Sequence, residues 1–140
     1  MLIRKIVVGY DGSGYSKRAL EAAIYLAKAL EASVTTLTVI QAPEFSPSLD
    51  EIDEGYKDAE KMIKPLLDEI KGFGEQNKIE INSVVLRGHP AGSIVKYAFD
   101  KKADLIIMGT RGVGGFKSMI LGSIAQKVVS YSKVPVMVIK

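Results

Sequence analysis

Four residues near the end of the chain have the types and the spacing of an anion-binding loop. Gly109 and Gly112 are separated by nine residues from Gly122 and Ser123. Glycine lets a backbone come close to a ligand, and the free amides and dipole at a helix start favour a negative charge. With Ser123 as the N-cap of a following helix, its hydroxyl can reach a phosphate oxygen. The spacing therefore favours phosphate binding over the alternative of a plain surface loop.

Two better-known phosphate patterns fail on the same segment. The P-loop pattern G-x-x-x-x-G-K-[ST] needs glycine where the chain has Arg111 and Phe116. The dinucleotide pattern G-x-G-x-x-G matches at Gly112 and Gly114 but meets Lys117 at its third glycine. Arg111 and Lys117 are equally open as phosphate-steering groups or as surface charges. Phosphate binding here would depend on backbone amides rather than on an obligatory lysine.

Apolar runs alternate with amphipathic stretches along the whole chain, which predicts strands alternating with helices. The predicted strands cover 5–10, 32–40, 78–88, 103–109 and 134–139. The predicted helices cover 16–31, 51–74, 90–102 and 123–133. This alternation predicts a single α/β domain over 1–140, with a doubly wound parallel sheet of five strands, helices on both faces and strand order 3-2-1-4-5.

Local signals predict where these helices begin and how they pack. Ser13 or Ser16 is expected to cap the first helix, and Pro90 to open the third. Pro65 lies in the middle of the second helix and is expected to kink it or split it. The last helix is expected to turn three apolar side chains inward, namely Ile124, Val128 and Val129.

The predicted strand order places two glycine-rich loops beside each other. In a doubly wound sheet, ligands bind beyond the carboxyl ends of the strands where the order reverses, here between the first and fourth strands. Those strands lead into GYDGSG (9–14) and GTRGVGG (109–115). Asp11-Gly12-Ser13 alone could be an ordinary turn and helix cap. The convergence of both loops on one crevice favours a ligand site there.

Composition narrows the class of protein. The 140 residues carry a net charge of +3, one histidine and no cysteine, which excludes disulfide and thiol chemistry. The sequence contains no dense basic run of the kind that indicates nucleic-acid binding. It also contains no apolar stretch of about 18 residues, so a membrane span is not predicted. The charged start of the chain does not resemble a signal peptide, so a cytoplasmic location is expected. We find no Ser-His-Asp set and no metal triad, and therefore expect slow hydrolysis at most.

The chain resembles the universal stress protein family over essentially its whole length. The resemblance is carried by the G-x2-G-x9-G-[ST] motif, by VVGYDGS near the start, by RGHP before the third predicted helix and by VPVMVI at the end. It implies a flavodoxin-like relative of the adenine-nucleotide α-hydrolase fold. The family includes members that bind ATP and members that do not, and the intact motif resembles the ATP-binding branch.

The resemblance also implies which residues meet an adenine nucleotide. The implied adenosine contacts are Gly9, Asp11 and the backbone of Val39. The implied ribose contacts are Met108 and Gly109. The implied phosphate contacts are Gly112, Gly122, Ser123 and the amide of Ile124. A magnesium or manganese ion would bridge the phosphates, and Asp11 is open as a metal ligand or as an adenosine contact. Gly122→Val is expected to weaken ATP binding without unfolding the chain.

These implications lead to one functional hypothesis and two alternatives. The resemblance implies an ATP-binding, nucleotide-responsive regulator of a stress response, with ADP or AMP open as the ligand. It also implies a homodimer formed by antiparallel pairing of the last strand, 134–139. A protein-interaction module of the same fold that ignores nucleotide, and a slow ATP hydrolase, remain open.

Overall fold

Strands and helices alternate along the chain in the computed structural model, which describes residues 1–41, 48–113 and 121–140. The strands are β1 (Lys5–Gly9), β2 (Ser33–Ile40), β3 (Ile81–Arg87), β4 (Leu105–Gly109) and β5 (Val136–Ile139). The helices are α1 (Gly14–Leu30), α2 (Leu49–Asn77), α3 (Pro90–Asp100) and α4 (Ser123–Tyr131). None of these helices is both long enough and apolar enough to cross a bilayer.

The strands form one parallel five-stranded sheet in the order β3-β2-β1-β4-β5, as the sequence predicted. β1 lies at the centre, and its three middle residues are fully buried. Ile6 and Val8 pack against α1 and α2, whereas Val7 points to the opposite face with α3 and α4. Both faces of the sheet are therefore covered by helices, which explains why its central strands are continuously apolar.

The caps of the first and third helices agree with the local signals. Ser13 is the N-cap of α1, and its hydroxyl accepts a hydrogen bond from the Ser16 amide at 3.1 Å. Pro90 is the first residue of α3, after His89 as N-cap. Proline suits this position because the first helical amide has no partner within the helix.

The second helix is not split at Pro65, contrary to one of the two expected outcomes. α2 runs without interruption for 29 residues. Proline frees the carbonyl four positions earlier, on Lys61. Because Pro65 and Lys61 are both exposed, water can satisfy that carbonyl and the helix continues.

The inward face predicted for the last helix was partly wrong. Val128 is fully buried as predicted, but its buried companion is Ala125. Ile124 and Val129 are 36% and 47% exposed, because each lies about one residue step of a helix, near 100°, to the side of the Ala125–Val128 face. The N-cap is Gly122, without a side-chain cap, so the prediction that Ser123 caps the helix was also wrong.

The end of β4 packs unusually close to the start of α1. A Cβ added to Gly109 would lie 2.6 Å from the Cβ of Tyr15 and 2.9 Å from its carbonyl carbon. Since one of those atoms is backbone, the clash cannot be relieved by a side-chain rotation alone. Gly109 therefore fixes how closely α1 approaches the central strands.

This contact predicts opposite effects for two glycine-to-alanine variants. Gly109→Ala should destabilise the fold by about 1–3 kcal/mol through overpacking. Gly72→Ala in α2 should stabilise it by about 0.5–1 kcal/mol, because glycine is unfavourable inside a helix and its added Cβ meets no atom within 4 Å. Urea unfolding of both variants measures the difference, and equal stabilities would contradict the close approach at Gly109.

Candidate functional site

A cavity of about 460 Å³ lies at the carboxyl edge of the sheet, where the order reverses between β1 and β4. All of the nine residues singled out from the sequence line it: Gly9, Asp11, Val39, Met108, Gly109, Gly112, Gly122, Ser123 and Ile124. The parallel sheet brings them together because their strands and loops end at the same edge. Their individual roles in binding stay predictions.

Ten further lining residues were not among these nine, although the sequence left Arg111 open as a phosphate-steering group. They are Tyr10, Ser16, Leu37, Gln41, Pro90, Ile94, Thr110, Arg111, Val113 and Ala125. Several are apolar residues at a strand end or in the first turn of a helix, and such residues look like core in a sequence. Apart from the charge of Arg111, their one usable signal is position, since each lies within a few residues of the carboxyl end of a predicted strand or at the start of the following helix.

Asp11 joins the two loops that border the cavity. Its Oδ1 accepts a hydrogen bond from the Ser13 amide at 2.9 Å, and its Oδ2 accepts one from the Val113 amide at 3.0 Å. A Cβ on Gly112 would meet the same Oδ2, so glycine is needed there for the carboxylate to come close. Asp11 thus links the loop after β1 to the loop after β4, an arrangement that we call the clasp, and both of its carboxylate oxygens accept hydrogen bonds from backbone amides.

The glycines of the motif therefore face protein atoms rather than open space. Gly109 faces Tyr15, Gly112 faces Asp11, and a Cβ on Gly122 would lie 3.0 Å from the Thr110 carbonyl oxygen. Protein contacts therefore restrict all three positions, in addition to any room that these glycines make for a ligand. For the same reason, Gly122→Val would press on backbone and would not leave the fold undisturbed.

The start of α4 is tied to the end of β4 by one short backbone contact. The Gly122 amide donates to the Thr110 carbonyl at 2.6 Å, and the Thr110 amide donates to the Ile139 carbonyl at 2.9 Å. The first hydrogen bond within α4 runs from the Gln126 amide to the Gly122 carbonyl. The three amides before it belong to Ser123, Ile124 and Ala125, which all line the cavity and are free of intrahelical partners.

The opposite wall of the cavity is formed by the open end of β2. β1 stops two residues short of Val39, at the Gly9–Leu37 pair. The Leu37 carbonyl accepts a hydrogen bond from the Tyr10 amide on the β1 side, and the Ile40 carbonyl accepts one from the Gly88 amide on the β3 side. Because successive residues of a strand alternate sides, the amide and carbonyl of Val39 face the side where β1 has ended.

Two charged side chains line the cavity among the described residues, Asp11 and Arg111. The guanidinium of Arg111 donates to the Tyr15 hydroxyl at 3.0 Å and lies 5.4 Å from the centre of that ring. Within 1–41, 48–113 and 121–140, no group of three or more histidine, cysteine or acidic side chains could hold a metal ion. His89 lies at the N-cap of α3 with no side-chain cap bond.

The neighbouring Tyr10 links this edge to α2. Its hydroxyl donates to Glu69 at 2.9 Å, and the Glu69 carboxylate also lies 3.7 Å from the Lys17 ammonium. Burial, and then the bond to Glu69, raise the pKa of Tyr10. Tyr10 is therefore a neutral donor that holds the β1 loop against α2, and it offers no base to the cavity.

Part of the predicted loop falls outside the described residues. Leu121 is partly buried against the core beneath α3 and α4, as expected of an anchor for the segment between the two glycine pairs. The hinge role of Gly114 and Gly115, the anchoring roles of Phe116, Met119 and Ile120, and the charge of Lys117 all lie outside the described residues.

A family comparison agrees with this architecture. The model of the universal stress protein family matches residues 2–140. The chain belongs to the universal stress protein family. Two curated members are similar along nearly the whole chain. Universal stress protein MJ0531 of Methanocaldococcus jannaschii is 36% identical over 99% of this chain and 83% of its own length. YxiE of Bacillus subtilis is 32% identical over 99% of this chain and 100% of its own length.

Solved structures of universal stress proteins have the same fold. Protein MJ0577 of Methanocaldococcus jannaschii superposes with a TM-score of 0.90 at 28% identity, covering 100% of this chain and 97% of that chain. A universal stress protein in complex with cAMP superposes with a TM-score of 0.74 at 26% identity, covering 100% and 98%. The five-stranded sheet and its two helical layers are thus those of the family.

The clasp at Asp11 leads to a prediction with a matched control. Asp11→Ala should speed hydrogen exchange at the Val113 amide and destabilise the fold by about 1 kcal/mol. Asp104 has the same chemistry away from the cavity, since it accepts from the amides of Arg4 and Lys5 at 2.9 and 3.0 Å. Asp104→Ala should leave exchange at Val113 unchanged. Equal protection of Val113 in the Asp11 variant and in the wild type would refute the clasp.

Proposed function

We propose that this universal stress protein binds ATP in the cavity between β1 and β4 and acts as a nucleotide-responsive regulator in the cytoplasm. The observation that carries the proposal is the polarity of the cavity. One wall offers the edge of β2 at Val39, beyond the last residue pair with β1, and the other offers the first amides of α4. An adenine nucleotide has a hydrogen-bonding base at one end and anionic phosphates at the other.

The base would lie against the end of β2. The Val39 amide can donate to a ring nitrogen of adenine, and its carbonyl can accept from the exocyclic amino group. Apolar side chains of Leu37, Ile94 and Met108 line the same region, and they can pack against a flat ring. The similar universal stress protein with bound cAMP adds support for an adenine ligand.

The phosphates would lie at the start of α4. The amides of Ser123, Ile124 and Ala125 precede the first intrahelical bond, and the Ser123 side chain is exposed at the same place. Each hydrogen bond to a charged group contributes about 1.5–3 kcal/mol. Asp11 holds the loop end at the Val113 amide, and Gly112 leaves room for its carboxylate. A few such bonds suffice for a phosphate chain without a P-loop lysine.

A magnesium or manganese ion would come to the site with the nucleotide. Asp11 is the acidic side chain among the described lining residues, and its oxygens already accept two amide hydrogen bonds. The phosphate oxygens would therefore supply most of the metal's ligands, as hard oxygen donors suit Mg²⁺.

The same arrangement favours a bound, slowly hydrolysed nucleotide. A hydrolase needs a base that orients water on the terminal phosphate, and Asp11 is engaged as the loop clasp. A nucleotide held by β2, by the β1 loop and by α4 would instead fix the relative positions of these elements. That coupling is what a nucleotide-responsive regulator requires.

Titration calorimetry with ATP and magnesium tests the proposal, and Gly9→Ala is the sharpest variant. A Cβ at Gly9 would make ordinary contacts of 3.5 and 3.7 Å with Ile94 and Met108, so the fold should tolerate it. The methyl would occupy space in the cavity, and ATP affinity should fall about tenfold, since overpacking costs about 1–3 kcal/mol.

The control for this test is Gly92→Ala in α3, whose added Cβ meets nothing within 4 Å. This variant should bind ATP as the wild type does. Absence of binding heat from the wild type at about 1 mM ATP would contradict the proposed function. Unchanged affinity in a folded Gly9→Ala variant would contradict the placement of the nucleotide.

We further propose that β5 pairs antiparallel with its copy in a second chain to form a homodimer. β5 is an edge strand of the described sheet, and its sequence VMVI is entirely apolar. An apolar edge with unpaired backbone groups invites pairing with another strand. Two-fold symmetry would bring the same surface of both chains together.

Met137→Lys tests the dimer. Met137 is 38% exposed on β5, and a charge in an apolar edge opposes strand pairing. Sedimentation velocity should show the wild type as a dimer and this variant as a monomer. Tyr25→Lys, at a side chain 75% exposed on α1, should remain dimeric. A monomeric wild type would overturn the proposal.

A further inference from the structure

Arg111 is a half-buried cation in the cavity wall without a carboxylate partner among the described residues. Its hydrogen bond goes to a neutral group, the Tyr15 hydroxyl, at 3.0 Å. Its Nε is buried and has no hydrogen-bond partner in the part of the chain that the structure describes. An unpaired buried donor is unfavourable by about 1–3 kcal/mol, so this side chain has capacity for an anion.

The other charged lining residue, Asp11, forms no ion pair with this cation among the described residues. Asp11 directs both carboxylate oxygens at the amides of Ser13 and Val113. The α4 amides add partial positive charge close to the Arg111 backbone. This end of the cavity therefore offers the Arg111 guanidinium and the first amides of α4 as hydrogen-bond donors to an anionic ligand.

Tyr15 positions the guanidinium of Arg111 through its hydroxyl and its ring. Two arginines lie over the Tyr15 ring, with Arg18 at 4.7 Å and Arg111 at 5.4 Å from the ring centre. Arg18 is exposed, donates to the Lys140 carbonyl at 3.1 Å and does not line the cavity among the described residues. The ring thus carries one arginine that faces the cavity and one that does not.

The loop geometry places Arg111 next to the proposed phosphate end. A Cβ on Gly122 would lie 3.5 Å from the Arg111 Cα, so the loop and the start of α4 are in contact. The Arg111 side chain extends from that contact to Tyr15 at the start of α1, which packs on the other face of the sheet. A phosphate chain that leaves the α4 amides would pass towards the guanidinium.

We propose that Arg111 binds the outer phosphates of a nucleoside di- or triphosphate and makes the site prefer these over a monophosphate or cyclic monophosphate. Tyr15 is the positioning residue, since it touches Arg111 rather than the ligand. The inference rests on the proposed nucleotide site and adds the source of its phosphate selectivity. Bidentate hydrogen bonding from a planar guanidinium to phosphate is the chemistry involved.

The test compares ATP, ADP, AMP and cAMP on the whole chain by titration calorimetry with magnesium. Arg111→Gln should lower ATP affinity about tenfold or more, as expected for loss of a hydrogen bond to a charged group. AMP and cAMP affinities should change by less than about threefold, so the ATP-to-AMP ratio falls. Tyr15→Phe should lower the same ratio by a smaller factor, because it removes the hydroxyl and keeps the ring.

The matched control is Arg18→Gln, which removes the same charge from the same ring outside the cavity. It should leave the ATP-to-AMP ratio within about twofold of the wild type. Equal losses of ATP and AMP affinity in Arg111→Gln, or equal effects of the two arginine variants, would overturn the inference while the nucleotide site stands. A wild type that binds none of the four nucleotides would overturn the site itself.

Discussion

The close packing of two loops at the β1–β4 switch point is the constraint on which the rest of the site depends. Asp11 binds the Val113 amide across these loops, and Gly112 leaves room for the carboxylate. Gly109 lets α1 approach the end of β4 through Tyr15. Without these contacts, the amides of α4 and the open edge of β2 would not face one shared cavity. The glycines therefore act through the architecture before any ligand arrives.

This constraint gives the glycine-rich motif a double role. A segment with many glycines loses much conformational entropy on folding. Contacts with a ligand would account for the glycines only in the ligand-bound state. Close contacts with Tyr15, Asp11 and Thr110 account for Gly109, Gly112 and Gly122 in the ligand-free protein as well. Gly9 differs, because a Cβ there meets only ordinary contacts. Of the motif-related glycines, Gly9 is thus the one whose substitution reports on the cavity rather than on the fold.

The strand order could be predicted because buried parallel strands and amphipathic helices alternate clearly along the sequence. The placement of the nine site residues in one cavity followed from that order, since residues after neighbouring strands share an edge. What each glycine faces could not be predicted, because the direction of an absent Cβ depends on tertiary packing. The exposure of Ile124 and Val129 could not be predicted for the same reason, because tertiary packing decides which side of α4 meets the core.

Other details depend on interactions with no local signature. The continuity of α2 through Pro65 depends on exposure at Lys61, which a sequence pattern does not give. Gly122 rather than Ser123 caps α4, because its amide is held by the Thr110 carbonyl. The pairing of Arg111 with Tyr15 spans 96 residues of sequence. Such contacts are visible only once the two loops have been brought together.

The most direct test of the central claim is an amide chemical-shift titration with ATP and magnesium. The largest shifts are expected at Val39 on one wall and at Ser123, Ile124 and Ala125 on the other. Asn82 and Ser83 line a separate groove beside the end of α2, and their amides should not move. Shifts confined to that groove, or none at saturating ATP, would contradict the placement of a nucleotide site between β1 and β4.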